Sequence, residues 1–449
     1  MNSNTKMKIQ LDLGNGLLLH TAQPENQEGI LDLCQRCLDE REWAGLLIDG
    51  SHPTTGLEDW TVVEDMGTGK IVSTMCMIPQ TWSYGSIPFG VARMDMVATE
   101  EPYRWKGLVR AQFRALEAES AARGDLLQVV VGRPYVYRRL GYSMALPYGV
   151  GTQVSRHGIP ALKAGESEPF HVRPGTPVDL LYWTDLFIRD QKRVLVACQR
   201  SLAQWQHDFF ERKIAQRLQL RIVEDARPGS NTFGQPIGGI VHAPDAADGL
   251  LYVFCLTMEA GVPWLEAAPS LLRYLEREGE RYAAHDGNRW DGFWIGGEGH
   301  PILHVLTDFM QRIPPEGPFA WYVRLGSPAQ FLLHIAAVIE RRIETSAIVN
   351  WSGLIKLNFY EHETAGLIII LQNGRLVRAV DCHPSQYPEA DQPCVNAAMP
   401  IEKFYSILFG YRSVDEVEAE SAEVEMDGRS RAVLQAMFPK KPSRVFSVA

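Results

Sequence analysis

The sequence predicts a mixed α/β chain in which one arrangement of strand, turn, helix and strand occurs twice and an α+β module follows. Three observations carry this. The 449 residues suffice for about three domains of roughly 150 residues each. Residues 91–146 read in series as an apolar strand (VARMDMVA), a short basic turn, a helix, a β-rich run (LLQVVV) and the segment GRPYVYRRLGYSMA. The same order returns over residues 249–311, and a helix, a three-strand meander and further helices follow it.

Composition narrows the function classes. A formal net charge of −10 argues against affinity for nucleic acid through phosphate neutralisation, and it suits cationic amines. No run of about 18 apolar residues occurs, and MNSNTKMKIQLDLGNG has no apolar core of signal-peptide length. A soluble, cytoplasmic chain with no nucleic-acid or membrane partner is expected. Seven scattered cysteines predict thiols rather than a disulfide framework.

Taken in order, residues 16–22 predict a strand. Residues 26–38 predict a helix with Ile30, Leu33, Cys34 and Cys37 on its inner face. Cys34 and Cys37 have metal-ligand spacing but no second pair, so they read as core. Two β-prone runs, 59–64 and 70–79, flank the hairpin signal DMGTG; its Gly-Thr-Gly-Lys string lacks the glycine spacing and the Ser or Thr of a nucleotide phosphate loop. The next helix, ending before Gly124, carries a stripe of Val109, Phe113, Leu116 and Ser120 that predicts packing on a sheet. Residues 151–168 read as a boundary, after which strand, Pro-containing turn and amphipathic helix recur over 170–186. The second copy places EAGVPWLEAAPS between its strand and a helix over 268–284, with no arginine. His300 and His304 are spaced like a metal pair but lack the accompanying carboxylate, and no metal is expected. PPEGP reads as a linker. A helix over 329–342, strands over 353–360, 366–371 and 376–381, and helices over 400–410, 413–418 and 429–437 close the chain.

The chemistry concentrates in the basic turn. A helix starting at Gly107 presents unpaired backbone N–H groups and the positive end of its dipole, and Arg104, Lys106 and Arg110 add three cations. A pyrophosphate is the natural guest. Arg104-x-x-Gly107-x-Val109 between strand and helix resembles the acyl-CoA signature of the GNAT N-acetyltransferases, with Val109 where the general pattern has Gly or Ala. Val136-Tyr137-Arg138-Arg139-Leu140-Gly141-Tyr142 resembles the aromatic, glycine-containing segment of the same fold. The closer resemblance is to the enhanced-intracellular-survival (Eis) branch.

That resemblance implies tandem GNAT folds followed by an α+β sterol-carrier-like domain: a catalytic domain over 1–150, a degenerate second GNAT-like domain over 166–325 and a sterol-carrier-like domain over 326–449. It implies acetyl-CoA as co-substrate, contacted by Asp95, Met96, Val97, Arg104, Trp105, Lys106, Gly107, Leu108, Val109, Arg110, Gly132 and Arg133, with a backbone N–H near residues 95–97 polarising the thioester carbonyl. Tyr137 stands at the proton-donating position, with Tyr135 and Tyr142 as competitors. The base is the terminal carboxylate of Ala449; Glu100, Glu101 or a relayed water are the alternatives. The expected activity is direct transfer of an acetyl group to an amine (aminoglycoside-like, polyamine or lysine) by a homo-oligomer, hexameric by resemblance. The alternative is a non-catalytic acyl-CoA or lipid-binding protein.

Overall fold

The structure is a computed structural model describing residues 8–446 apart from 133, 150, 214–215, 287–288, 298–299, 307–311, 314–319, 361–364 and 388–392. A hairpin, β1 (Gln10–Gly14) and β2 (Leu17–Thr21), leads into helices α1 (Gln27–Leu38) and α2 (Arg41–Ile48). Strands β3 (Trp60–Asp65), β4 (Lys70–Tyr84) and β5 (Ile87–Thr99) form a meander; helix α3 (Leu108–Arg123) crosses to β6 (Leu127–Val130), and α4 (Pro134–Arg138) and β7 (Ser143–Pro147) follow. The second repeat contains β8 (Gly151–Ser155), β9 (Phe170–Pro174), α5 (Leu180–Gln191), β10 (Val196–Gln199), α6 (Leu202–Gln206), β11 (Gln219–Asp225), β12 (Pro236–Ala247), β13 (Leu250–Met258), α7 (Trp264–Asp286), β14 (Gly292–Gly296), α8 (Pro301–Val305) and β15 (Arg312–Ile313). Strand β16 (Ala320–Leu325) precedes the last module: α9 (Pro328–His334), α10 (Ala336–Glu344), β17 (Gly353–Phe359), β18 (Gly366–Gln372), β19 (Arg375–Asp381), β20 (Cys394–Met399), α11 (Ile401–Leu408), α12 (Val414–Glu420), β21 (Glu425–Met426) and α13 (Gly428–Met437). No helix among the described residues is long and apolar enough to cross a membrane.

The chain divides into two compact units: Met1–Leu146 with Ala320–Lys441, and Pro147–Phe319 with Pro442–Val448. In the first, the strands run β1-β2-β3-β4-β5-β6-β16-β7. Period-2 alternation along β4 sends Cys76 and Ile78 toward α1 and α2, where Ile30, Leu33, Ala44 and Leu47 meet them. Met75 and Met77 face the other way, into a cluster with Phe113, Leu116, Tyr137, Tyr142 and Tyr322. In the second unit the order is β15-β8-β14-β13-β12-β11-β9, and the last module adds a third sheet, β19-β18-β17-β20-β21.

Several elements differ from the sequence reading. Strand β16, placed with the second repeat by the 325 boundary, pairs antiparallel with β6, with Tyr322 opposite Val130 and Leu325 opposite Leu127. Residues 442–446 associate with the second unit rather than with the last module. The single helix expected over 329–342 is two, because Ile335 (φ −94°, ψ 11°) leaves helical geometry. The meander gains β20, parallel to β17 from Leu354 and Cys394 onward, and short β21 beyond it. Helix α7 begins at Trp264, four residues before its expected start, and carries Pro269 inside it. The buried face of α3 is wider than the expected stripe: Phe113, Leu116 and Ser120 lie inside, and the polar Gln112 and Glu119 are buried with them.

The last module is joined to the first repeat through the β4–β5 hairpin. The Tyr84 ring meets Phe331 and Phe409 edge-on at 5.8 and 6.5 Å, and Phe89 meets Phe331 at 5.3 Å. The Tyr84 hydroxyl donates to the Leu408 carbonyl (2.7 Å) and accepts from Arg342 (3.1 Å), whose same nitrogen reaches the Met437 carbonyl (2.7 Å). At Gly85 a Cβ would stand 2.9 Å from Val338 Cγ1. Tyr84→Phe keeps the packing and orphans a buried carbonyl, so it should cost about 1–3 kcal/mol. A chemical-denaturation midpoint unchanged from that of the native protein would refute this coupling.

Candidate functional site

Strands β5 and β6 run parallel and pair only from Val91 and Leu127 to Met94 and Val130. Past Met94, β5 continues to Thr99, and among the described residues no strand pairs with it on that side. A bulge lies at the parting. Against β4, Cys76 opposes Asp95 and Thr74 opposes Ala98, so Met96 and Val97 share one partner position. Met96 takes φ +51°, and its N–H is accepted by its neighbour's carboxylate, Asp95 Oδ1 (2.9 Å). Of the three positions named from the sequence, Met96 therefore has its amide engaged. Asp95 also pairs with Arg93 at 2.5 Å, and the Arg93 guanidinium lies over Trp321 of β16 at 5.5 Å.

The basic turn is braced from both sides. Tyr103 donates to Asp65 in the β3–β4 hairpin (2.5 Å), a bond that holds the Asp65 carboxyl below its usual range and raises the Tyr103 phenol. Arg104 Nε donates to the Thr99 carbonyl (3.3 Å), and Lys106 Nζ lies 4.6 Å from the centre of the Tyr103 ring. Trp105 has φ +66° and is 92% exposed. Gly107 is the N-cap of α3 at φ +81°, ψ 7°, with no side chain to cap the helix and no acidic residue in the first turn. The first intrahelical bond there runs from Ala111 N–H to the Gly107 carbonyl, which leaves the amides of Leu108, Val109 and Arg110 without helical acceptors. Leu108 is buried, and Val109 packs against the Phe113–Leu116 cluster, so both bulky side chains point away from those amides. Arg104, Lys106 and Arg110 are exposed. Such an end is built to receive an anion.

A buried amide sets the position of that end on the sheet. Gln112 Nε2 donates to the Thr61 carbonyl (3.2 Å), and Gln112 Oε1 accepts from Ser73 (2.8 Å). The sequence pattern missed Gln112, whose polar side chain sits on the face that packs inward.

Tyr137, at the sheet end of α4, is 8% exposed, between Phe113 (6.1 Å) and Tyr322 (6.0 Å). Burial first, and the negative charge of Asp95 second, push its phenol up to about 12. Among the described residues its hydroxyl finds no hydrogen-bond partner. Gly132 (φ +149°) lies directly beneath it: a Cβ there would stand 2.9 Å from the ring and 3.1 Å from the hydroxyl oxygen. Gly132 is thus a floor for Tyr137, a role its place in the motif did not reveal. Tyr142 is spent elsewhere, donating to Gln128 Oε1 (3.1 Å). Glu100 is engaged by Arg36 at 2.6 Å. Arg133, Ala449 and the side chain of Tyr135 lie outside the described residues. Trp321 and Tyr322 were not foreseen, because they arrive from a segment almost 200 positions along the chain from Tyr137.

The second repeat has the same strand geometry without the turn. Strands β13 and β14 pair from Leu250 and Gly292 to Val253 and Ile295 and then part. The following helix carries Glu266 in its first turn, which disfavours an anion there. His300 caps α8 by accepting from Ile302 N–H (3.3 Å) and donates to the Leu256 carbonyl (2.6 Å), and burial drops its ring to about 3.

Residues 19–145 match the family described as acetyltransferase (GNAT) domain. No curated protein matches the sequence. Among solved structures, a GCN5-related N-acetyltransferase from Anabaena variabilis aligns with a TM-score of 0.64 at 13% identity, covering 94% of this chain and 96% of that one. A conserved protein of unknown function from Enterococcus faecalis, described as a probable N-acyltransferase, aligns at 0.66 and 12%, covering 99% and 100%. Eis1 from Mycobacterium abscessus aligns at 0.58 and 13%, covering 94% and 97%. The chain therefore has the GNAT fold within a multidomain α+β architecture.

Because the phenol of Tyr137 titrates higher folded than its ordinary unfolded value near 10, its contribution to stability is complete below pH 10. That contribution is lost as pH rises through 12. The melting temperature of the native protein should therefore fall relative to that of Tyr137→Phe as pH rises from 10 to 12. Parallel curves across that range would refute the buried, neutral phenol.

Proposed function

We propose that this chain is an acetyl-CoA-dependent N-acetyltransferase that passes the acetyl group directly to an amine. The observation that carries the reading is the acid-free, cationic start of α3 beside a parallel strand pair that parts. Under this reading the pyrophosphate rests on the amides of Leu108, Val109 and Arg110, with Arg104 and Lys106 neutralising its charge and the exposed Trp105 beside it. The pantetheine arm follows the unpaired side of β5, as an added strand would. With the Met96 amide held by Asp95, the N–H of Val97 is assigned to the thioester carbonyl, where it stabilises the oxyanion that forms.

In the reaction, the amine nitrogen bonds to the carbonyl carbon and the carbon–sulfur bond breaks, the sulfur leaving with the electron pair. A phenol held near 12 is a weaker acid than a thiol near 8.5, so Tyr137 does not supply the net proton. Its hydroxyl donates a hydrogen bond to the departing sulfur and relays the proton released by the amine. The base that frees the amine is assigned to the carboxylate of Ala449, as the Eis resemblance implies. The acceptor class is a cationic amine: an aminoglycoside-like compound, a polyamine or a lysine side chain. The protein acts as a cytoplasmic homo-oligomer in this reading, with Gly132 and Arg133 contributing to the cofactor side.

Release of free thiol from acetyl-CoA across a panel of aminoglycosides, polyamines and lysine peptides tests the activity; background rates with every amine, alongside intact acetyl-CoA binding, would make the chain a binding protein instead. Tyr137→Phe should lower kcat by roughly 10²-fold with little change in acetyl-CoA affinity. An undiminished rate would remove Tyr137 from the mechanism. Gly107→Glu places a carboxylate where the anion belongs and strains a positive φ, so calorimetry should show acetyl-CoA affinity falling by at least about tenfold.

A further inference from the structure

The parted strands of the second repeat are already occupied. Counting from the last pair, Phe254 and Leu256 of β13 correspond to Asp95 and Val97 of β5. The Leu256 carbonyl is taken by His300, and the Phe254 carbonyl by Arg444 Nη2 at 3.4 Å. Arg444 belongs to the segment that follows α13, and this segment lies along β10 as a parallel strand. Leu195 N–H donates to the Pro442 carbonyl (2.7 Å), Arg444 N–H donates to the Val196 carbonyl (2.9 Å), and Ala197 and Arg444 form the bridge. Val196 N–H adds a bond to Ser443 Oγ (3.2 Å).

Two side chains give the segment its specificity. Arg444 is 15% exposed and pairs with Asp190 at 3.1 Å; its stem passes over Gly297, where φ is +107° and a Cβ would stand 3.3 Å from Arg444 Cδ. Phe446 stacks on Phe254 with ring centres 5.5 Å apart and 18° between planes, and on its other neighbours it meets Trp205 at 6.1 Å and the Arg200 guanidinium at 4.6 Å. What remains unfilled is a cavity of about 50 Å³ bordered by Trp294, Gly296 and residues 443–446. A backbone ladder for affinity and pockets for alternate side chains for selectivity are the working parts of a peptide receptor that binds by strand addition.

We propose that the parted end of the second repeat is a receptor for an extended peptide presenting an arginine and, two residues later, an aromatic ring, and that residues 443–446 of this chain are its ligand, bound in cis. The same occupancy shuts this repeat to a pantetheine arm, a clause that rests on the proposed function; peptide capture does not.

Hydrogen exchange on the full-length protein tests the proposal first. The amides of Leu195 and Arg444 should exchange at least about 10²-fold more slowly than in a free peptide. Arg444→Glu combined with Phe446→Asp should bring both to near the free rate and leave β12 protected. If that variant loses β12 protection as well, Phe446→Ala replaces it. A fluorescein-labelled peptide of residues 439–449 should then bind the released variant. It should fail to bind the native chain, whose tethered segment competes at an effective concentration on the order of millimolar. Unchanged protection in the variants, or a released variant that does not capture the peptide, overturns the proposal. Neither readout uses turnover, so a failed acyltransferase assay leaves this result to stand or fall by itself.

Discussion

Two parallel strands that begin as partners and then part are the constraint on which both repeats rest. A parallel pair supplies hydrogen bonds only while its strands stay about 5 Å apart, and beyond the fork each strand carries backbone groups that need acceptors and donors from elsewhere. In the first repeat the fork follows Met94 and Val130, and a bulge at Met96 turns the strand just there. In the second the fork follows Val253 and Ile295, and the exposed carbonyls are met by His300 and Arg444 from the chain itself. One geometry thus yields an edge available to a ligand and an edge already satisfied.

Around the first fork, each functional feature is held by a contact that packing alone would not supply. Helix α3 is registered on the sheet by the Gln112 amide, buried and bonded to Thr61 and Ser73, so its amide-rich start cannot slide along the strands. The turn before it is fixed by Tyr103 on Asp65. Tyr137 stands upright on Gly132 between two aromatic rings, and the Asp95 carboxylate near it helps keep the phenol neutral. The last module steadies the same unit at the far end of the β4–β5 hairpin, where Tyr84 meets Phe331, Phe409 and Arg342. Strand β16 closes the arrangement by bringing Trp321 and Tyr322 alongside β6.

Much of this was legible in the residues. The apolar run over 91–98 and the helical stripe from Val109 were strong enough to set strand and helix, and the bare Gly107 start with its three cations marked a candidate phosphate-binding turn. The misses share a cause. Gln112 was absent from the predicted stripe because that stripe was drawn from apolar periodicity, and its two buried partners, Ser73 and Thr61, lie 39 and 51 residues earlier. The break at Ile335 has no local marker, since residues 329–342 contain neither Gly nor Pro. Strand β20 was passed over since CVNAAM has little β-branched character and its partner, β17, lies about 40 residues upstream in a parallel pairing that no local turn encodes.

The sequence by itself determined the local chemistry: which segments are strands or helices, where a glycine frees the amides of a helix start, and which repeat keeps its cations and which has a glutamate there instead. Those properties follow from side-chain periodicity and from the φ, charge and capping preferences of single residues, all short-range. Tertiary structure alone decided that β16 inserts beside β6, that Tyr137 rather than Tyr142 retains a hydroxyl with no partner among the described residues, and that residues 442–446 lie along β10. Each of these depends on pairing between segments far apart in the chain, and a strand's backbone offers the same donors and acceptors to every candidate partner, so only the assembled sheets can choose among them.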